Sequence, residues 1–339
     1  MGSGSRLRPE AVPVRYSALK KQARKALDEV VLALGDAADE ANPSGVGGAG
    51  SSNSIDTNRK SRIFFISGEP GSGKSTVYLS LWAMLSDEKR FAGYSERCPY
   101  INELNSVKAA ATWLEPIDLE VVGDERENLL AAVLVRLFEA LDGTTAALSG
   151  PCEVAIKELE DLATDIGIAW EGNLRKRAGA IDPATYSEEV MLAQRARLGV
   201  NKRLMRALDK LAKARCGGCH EGTLFILPVD DMYLRPDASL QLLRLLRMIS
   251  VPRLFFLVMG DIKTVEALFT EKSLADWITV AGNRTFPDGS KRLDEALGRA
   301  RELCARYLRK LLPPAQRAVI EAMTWDEALD FQPENLAGC

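Results

Sequence analysis

The sequence predicts an α/β fold in which a mainly parallel sheet is covered on both faces by helices, forming a three-layer sandwich with a helical insertion and flanking helices. Short apolar runs of strand length alternate along the chain with longer amphipathic patterns of helical period. A glycine-rich loop joins the first of these runs to a helix, and two carboxylates follow a later run. Alternating strands and helices are typical of parallel sheets with both faces buried.

The composition is that of a folded protein. Of the 339 residues, 46% are hydrophobic and 27% are charged, so one or two hydrophobic cores are expected. The formal net charge of −3 argues against a surface devoted to nucleic acid. The sequence has neither an apolar run of membrane-spanning length nor the apolar core of a secretory signal. Six cysteines without such a signal predict reduced thiols and a cytoplasmic location.

The first region is expected to be a helical segment over 1–41, followed by a flexible linker or loop over 42–60. Apolar residues between Leu19 and Leu34 recur three and four positions apart, which predicts an amphipathic helix. The next stretch is rich in glycine and serine and has too few apolar groups to pack.

A nucleotide-binding domain is predicted over 61–290, with a charged helical insertion at about 143–222 and a C-terminal helical region over 291–339. Apolar runs predict strands at 63–66, 111–119, 224–227 and 254–259. Helical periodicity predicts helices from about 74, over 129–141, around 240–249 and over 297–311.

Residues 68–75 read Gly-Glu-Pro-Gly-Ser-Gly-Lys-Ser, which fits the phosphate-binding pattern G-x-x-x-x-G-K-[ST] at every fixed position. The loop follows a strand and opens a helix, which is the context in which this motif binds phosphates. Glycines let main-chain N–H groups approach the anion, and the helix directs its positive end at it. We therefore predict a nucleotide site formed by Gly68, Glu69, Pro70, Gly71, Ser72, Gly73, Lys74, Ser75 and Thr76.

The motif also predicts a role for each polar residue at the start of the helix. Lys74 is expected to bridge the β- and γ-phosphates, and the Ser75 hydroxyl to bind Mg²⁺. Thr76 is expected to lie towards the α-phosphate. The guanine-specific run Asn-Lys-x-Asp is absent from the sequence, so the expected ligands are ATP and Mg²⁺.

Two carboxylates, Asp230 and Asp231, follow the apolar run that begins at Leu224. Ligands of open α/β sheets bind at the carboxyl ends of strands. Asp230 is therefore expected to hold magnesium and Asp231 to polarise the attacking water, with a helix cap as the alternative for either residue. Pro228 has no backbone N–H to donate to a neighbouring strand, which predicts that regular pairing on one side of this strand stops just before the acids.

A third carboxylate, Asp261, follows the next predicted strand. It either senses the γ-phosphate and orients the water, as a catalytic residue, or caps the helix that begins near Lys263. Arg309, Arg253 and Arg284 are the candidates for an arginine acting on a neighbouring site in trans, and a surface location is the alternative for each.

Charge is distributed unevenly around the insertion. Residues 115–171 hold 14 Asp/Glu and 3 Lys/Arg, whereas residues 172–215 hold 11 Lys/Arg and 4 Asp/Glu. Two solvated helical faces that pair with each other are expected. Nucleic-acid contact through 195–215 and docking of a partner protein are the alternatives, although no aromatic residue is interleaved there for base stacking.

The run Cys216-Gly217-Gly218-Cys219-His220 matches the haem-attachment pattern C-x-x-C-H. Covalent haem attachment requires an exported, oxidising setting that no other feature supports. A glycine turn before the strand at 224 is expected instead, with half of a zinc site as the alternative.

Together these features resemble the KAP and STAND branch of P-loop NTPases, within the AAA+-like group. The resemblance covers roughly 61–320 and rests on the loop at 68–75, the acids Asp230 and Asp231, the run 251–261 and the Tyr-Leu-x-Lys pattern at 307–310. KAP proteins often read Asp-Asp-Leu-Asp-Arg after this strand, whereas Met232 follows the two aspartates here. Many members also carry membrane helices in the ATPase domain, and this chain has a charged insertion at the corresponding place.

The resemblance implies ATP hydrolysis that drives a conformational or assembly change, in a homo-oligomer or with a partner protein. Bacterial relatives of this type occur in anti-phage defence, which implies that role here. Two alternatives remain at this point: a nucleotide-gated switch or scaffold with little turnover, and a nucleic-acid-dependent ATPase.

Overall fold

The computed structural model describes residues 11–41, 62–120, 129–142, 150–170, 183–215, 223–230, 232, 235–281 and 289–321. Several sequence predictions lie outside these residues. They concern the linker at 42–60, the motif at 216–220, Asp231 and Arg284.

Six strands form one sheet in the described part of the chain. They are β1 (Ile63–Ser67), β2 (Ala111–Trp113), β3 (Ile117–Asp118), β4 (Leu224–Asp230), β5 (Leu254–Gly260) and β6 (Arg317–Val319). Their order is β2-β4-β5-β1-β6, with β3 also paired to β4. Every pairing is parallel, so the carboxyl ends of all these strands meet at one edge. The predicted α/β class and mainly parallel sheet are confirmed.

Nine α-helices accompany the sheet in the described residues. They are α1 (Lys21–Ala41), α2 (Lys74–Leu85), α3 (Ile101–Ala110), α4 (Leu129–Asp142), α5 (Gly150–Trp170), α6 (Pro183–Arg215), α7 (Pro236–Met248), α8 (Ile262–Ala281) and α9 (Gly289–Leu311). None of the helices in these ranges is long and apolar enough to cross a membrane.

The two faces of the sheet belong to two hydrophobic clusters because successive strand residues point to opposite sides. Phe64 and Ile66 pack with α1, α2 and α3, whereas Phe65 packs in the cluster that α4 to α9 supply. This arrangement is compatible with the predicted three-layer sandwich. Helix α1 buries Leu27, Val30 and other apolar residues in the first cluster, so it belongs to the same core as the sheet.

The strand predicted over 111–119 is two short strands. Trp113 pairs with Ile226, but Ile117 pairs with Val229, so one extra residue lies between β2 and β3 in the manner of a bulge. Pro116 lies in this stretch and has no N–H for a ladder bond. The single-strand prediction was therefore wrong in extent, because alternating hydrophobicity does not reveal a break in pairing.

The prediction that regular pairing on one side of β4 stops just before the acids was wrong in part, because the pairing on that side breaks at 227–228 but resumes at 229–230. The pairing of β4 with β5 runs on through Pro228 and Val229, while the other side pairs at 224–226 and again at 229–230. The prediction did not include the second pairing, in which Asp118 of β3 lies beside Asp230.

The predicted insertion is largely two helices, α5 and α6, that pack against each other. Leu159 and Leu162 of α5 and Leu204 and Leu208 of α6 are buried in one cluster. The ammonium of Lys210 lies 2.6 Å from the carboxylate of Glu158. The acidic and basic helices therefore pair with each other, at least at this point, as the charge pattern predicted.

Candidate functional site

The candidate site lies at the carboxyl edge of the sheet. Ser67 at the end of β1 is in register with Gly260 at the end of β5, and Asp230 ends β4 on the other side of β5. The glycine-rich loop leaves β1 at this edge and continues into α2, so the sheet brings together segments that are distant in sequence.

The loop depends on glycine at three positions for two reasons. Gly71 and Gly73 have φ angles of 80° and 100°, which are in the left-handed region that side chains disfavour. Gly68 has an ordinary φ but no room, because a Cβ there would lie 2.3 Å from Ser72 Oγ and 2.5 Å from the carbonyl oxygen of Ile320. The Gly68 N–H also donates to the Gly260 carbonyl at 3.0 Å, which fixes the start of the loop to β5.

Helix α2 begins in this loop without a side-chain cap. Its N-cap is Gly73, which has no side chain to accept a bond from the first turn. The first N–H groups of a helix have no intrahelical acceptors, and together with the helix dipole they attract an anion. The start of α2 therefore has the electrostatics of a phosphate site.

Lys74 is held inside the loop. Its side-chain ammonium donates to the carbonyls of Gly68 at 2.8 Å and Glu69 at 3.0 Å. The residue is only 5% exposed, and a buried ammonium is favourable only among oxygen partners. The positive charge thus lies at the same place as the uncapped helix end.

Ser75 and Asp230 meet beside the start of α2. The Ser75 hydroxyl donates to Asp230 Oδ2 at 2.9 Å, although the two residues are 155 positions apart. A hydroxyl and a carboxylate are hard oxygen ligands of the kind that Mg²⁺ prefers, with water and phosphate oxygens completing its shell. The described residues contain no group of three or more His, Cys, Asp or Glu side chains that would hold a metal by themselves. Ser75 and Asp230 are the residues here that could hold a magnesium ion, together with other oxygen ligands.

The chain after β4 crosses the end of β5. The N–H of Met232 donates to the Met259 carbonyl at 3.2 Å, and a Cβ on Gly260 would lie 2.9 Å from Met232 Cβ. Asp231 stands between Asp230 and Met232 but is not among the described residues. Its role in polarising water stays a prediction.

Ser72 contributes a buried hydroxyl that has no hydrogen-bond partner within the described part of the chain. The residue is 5% exposed, and a buried polar group without a partner costs about 1–3 kcal/mol. Such groups are rare unless a ligand or ordered water satisfies them. The hydroxyl lies beside Gly68, inside the glycine-rich loop.

An aromatic wall flanks the site one helical turn after Ser75. The ring of Tyr78 stacks on that of Trp113 with centroids 5.9 Å apart. Burial raises the pKa of the Tyr78 hydroxyl to about 12, and the negative charges of Glu115 and Asp230 add to the effect. Tyr78 therefore stays neutral above pH 10, and it adds no negative charge beside Asp230.

Asp261 caps helix α8. Its Oδ1 accepts the N–H of Lys263 at 3.1 Å, and its Oδ2 accepts the Thr264 hydroxyl at 2.6 Å. These bonds are those of the capping alternative. A second role towards the γ-phosphate stays a prediction.

The described arginine candidates lie away from the glycine-rich loop of their own chain. Arg253 precedes β5, at the opposite edge, where it donates to Asp209 at 2.7 Å and to the Thr223 carbonyl at 3.2 Å. Arg309 is exposed on α9 and lines a groove with Arg62, the residue before β1. These arginines could therefore act only in trans, on the site of a neighbouring copy.

The basic face of α6 is largely in solvent. Arg195, Lys202 and Arg206 are exposed. Lys210 lowers the pKa of Glu158 through its hydrogen bond and charge, with smaller contributions from Arg206 and Arg203. Solvation and pairing with α5 account for this face without a ligand, and nucleic-acid binding through 195–215 stays a prediction.

Sequence reasoning missed Ile320 as part of the loop's surroundings. The N–H of Ile320 donates to the Ser67 carbonyl at 2.7 Å, which places the Ile320 carbonyl against Gly68. Strand β6 has only three residues, too few for a hydrophobic period. No local signal in the sequence therefore indicated this contact.

Comparison with known proteins leaves the family open. No protein-family model matches the chain, and no curated protein sequence matches it at a significant level.

Proposed function

We propose that this chain is a magnesium-dependent ATPase of the P-loop type, in which turnover drives a conformational or assembly change. The observation that carries the proposal is the 2.9 Å hydrogen bond between Ser75 and Asp230 at the start of α2. It joins the last residue of the phosphate-loop motif to the acid at the end of β4. This pairing is what a magnesium site next to a bound triphosphate requires.

Three further features support the same chemistry. The uncapped start of α2 and the ammonium of Lys74 supply positive charge where the phosphates would lie. The buried Ser72 hydroxyl supplies a donor at the same loop. Phosphoryl transfer depends mainly on positioning and on stabilising negative charge, which are the two properties these residues provide.

Each residue then has a stated task. The N–H groups of the loop and Lys74 bind and orient the phosphate oxygens, and Ser75 and Asp230 would hold a magnesium ion. Such an ion would supply positive charge next to the γ-phosphate. Asp231 accepts the proton of the attacking water, a bond forms from that water to the γ-phosphorus, and the bond to the leaving ADP oxygen breaks. The aromatic residues Tyr78 and Trp113 form one wall of the site and add no charge to it.

ATP hydrolysis by the full chain tests the proposal. Phosphate release with ATP and Mg²⁺ is measured for the wild type, Lys74→Ala, Asp230→Asn and Lys25→Ala, the last being an exposed lysine of α1. We expect Lys74→Ala and Asp230→Asn to lower kcat by about 10²-fold or more, with Lys25→Ala unchanged. Wild-type release no greater than that of Lys74→Ala would exclude the ATPase.

Binding is measured in parallel by thermal unfolding. Saturating ATP with Mg²⁺ stabilises a binding protein by about 2.7 kcal/mol at a hundredfold excess over Kd. Stabilisation of the wild type without turnover, lost in Lys74→Ala, would replace the ATPase with a nucleotide-gated switch. Stimulation of turnover by DNA or RNA, falling steeply with salt, would support the nucleic-acid-dependent alternative and the basic face at 195–215.

The resemblance to KAP and STAND NTPases suggests the biological setting of this activity, including the defence role. Challenge of cells carrying the wild type or Lys74→Ala with phage tests it, since protection that does not require Lys74 would contradict an ATP-dependent role.

A further inference from the structure

A groove with a volume of about 960 Å³ lies at the amino-terminal edge of the sheet, opposite the phosphate loop. It is bounded by the start of β1 at Arg62 and Ile63, by Ser250 just before β5, and by α7, α8 and α9. A helix about 10 Å across that rises 1.5 Å per residue would fill this volume with about eight residues. The groove thus has the size of a peptide site, and no part of the ATPase proposal uses it.

The described lining is cationic. It contains the basic residues Arg62, Arg247, Arg306, Arg309 and Lys310, and none of the described lining residues is acidic. Arg62 pairs with Glu40 behind the groove, and Arg306 pairs with Glu302 in an exposed ion pair. Exposed pairs such as that of Arg306 contribute little and exchange readily, so the exposed part of the rim at Arg306, Arg309 and Lys310 has positive charge available for an acidic ligand.

The floor of the groove is apolar and partly open to solvent. Leu303 is 60% exposed, and the rings of Phe269 and Tyr307 stack with centroids 5.0 Å apart. An exposed apolar surface rimmed by charge is typical of a protein-interaction site. Phosphates of a nucleic acid would use the cations but would leave Leu303 in water, so a segment that carries both apolar side chains and carboxylates fits better.

The chain itself contains such a segment. Residues 318–339 hold five Asp/Glu and no Lys or Arg. Within it, Trp325 and Leu329 are four positions apart, as are Asp326 and Asp330. We propose that the groove binds the acidic segment 325–330 of a second copy of this chain, with Trp325 and Leu329 on the apolar floor and the aspartates at the cationic rim.

The segment of a second copy is distinguished from that of the same chain by its effect on association. Ile320 is bonded to Ser67 at the carboxyl edge, and Arg62 lies six strand residues, about 20 Å, from the level of Gly68. Five extended residues from Ile320 to Trp325 span at most about 18 Å, which is short of Arg62 but longer than the distance of about 10 Å from the start of α8 to Phe269. Folding of the segment onto the groove of its own chain would leave association independent of these charges and would overturn the proposal.

A contact of this kind is head-to-tail, because the acidic segment leaves one edge of the sheet and binds the opposite edge of its neighbour. Such contacts produce rings or filaments. The inference goes beyond the proposed ATPase and does not depend on it, since it uses no residue of the phosphate loop. The Lys74→Ala chain is accordingly expected to form the same contact.

Charge exchange tests the contact in the full chain by sedimentation velocity over a range of protein concentrations at low and high salt. The groove variant is Arg306→Glu with Lys310→Glu, and the acid variant is Asp326→Lys with Asp330→Lys. We expect each to lower the association constant about tenfold or more, and all four substitutions in one chain to restore it to within about threefold. Arg299→Glu with Arg301→Glu, also exposed on α9 but outside the groove, is the control for net charge and is expected to change little.

Several outcomes would overturn the proposal. One is a wild type that stays monomeric at low salt, and another is a groove variant that associates like the control. Failure of the four-fold variant to recover, with melting temperatures showing that all variants fold, would also do so. A groove variant that loses binding to a labelled oligonucleotide while self-association is unchanged would assign the groove to nucleic acid. Loss of ATP hydrolysis in Lys74→Ala with association intact would separate the two proposals.

Discussion

Alanine in place of Gly68 tests the close packing around the phosphate loop. The new methyl group would lie 2.3 Å from Ser72 Oγ and 2.5 Å from the Ile320 carbonyl oxygen. Ser72 can rotate away, but the Ile320 carbonyl is backbone, and the N–H of the same residue is held by the Ser67 carbonyl at 2.7 Å. Overpacking of this kind costs about 1–3 kcal/mol, which corresponds to a fall in melting temperature of about 1–4 °C for a chain of this length.

Two further glycines separate crowding from backbone strain. Gly71 has a φ of 80° and open space around its Cβ position, so Gly71→Ala is expected to cost about 1–2 kcal/mol through strain alone. Gly298 lies in α9 with open space and no positive φ. Gly298→Ala is expected to stabilise the protein by about 0.5–1 kcal/mol, because alanine favours helix.

Urea unfolding gives the free energies, and thermal shift with ATP and Mg²⁺ reports the site. We expect Gly68→Ala and Gly71→Ala to lose most of the ATP-induced shift, since both displace main-chain N–H groups of the loop, and Gly298→Ala to keep it. A Gly68→Ala protein as stable as the wild type would refute the crowding argument. A full ATP shift in that variant would refute the assignment of the loop.

Three other predictions concern the cap, the alkaline limit and the far edge of the sheet. Asp261→Ala is expected to lower the unfolding free energy by about 1 kcal/mol because the helix loses its cap. Asp261→Ser is the control, since serine keeps the cap. Loss of ATPase activity in both variants would indicate a role towards the γ-phosphate. The pKa of Tyr78 is raised from 10 to about 12, so the contribution of Tyr78 to stability is complete below pH 10 and is lost as the pH rises to about 12. Ultraviolet titration of the wild type and of Tyr78→Phe, with unfolding measured over the same pH range, checks this prediction. Ionisation of Tyr78 near pH 10 would contradict it. Arg253→Ala is expected to cost about 1.5–3 kcal/mol by removing a charged hydrogen bond to Asp209, which urea unfolding measures. An unchanged midpoint would show that the pair contributes nothing.

Patterns that are local in the chain predicted local structure well. The strand at β1, the start of α2 at Lys74 and the amphipathic helix α1 all follow from apolar periodicity and the glycine loop, and they agree with the structure. The break between β2 and β3 and the short strand β6 were not predicted. Both depend on which strands pair and in what register. A run of two or three residues is too short to show the hydrophobic period of a strand.

The sequence by itself determined the phosphate-loop motif, the α/β alternation and the acids that end a buried strand. Only the tertiary structure decided that Ser75 and Asp230 lie within hydrogen-bond distance, that Ile320 packs against Gly68, and that basic residues of α7 and α9 join Arg62 around one groove. The physical reason is that backbone conformation responds to neighbouring residues, whereas contacts across a sheet depend on strand order, register and the burial of both faces. These are properties of the whole chain.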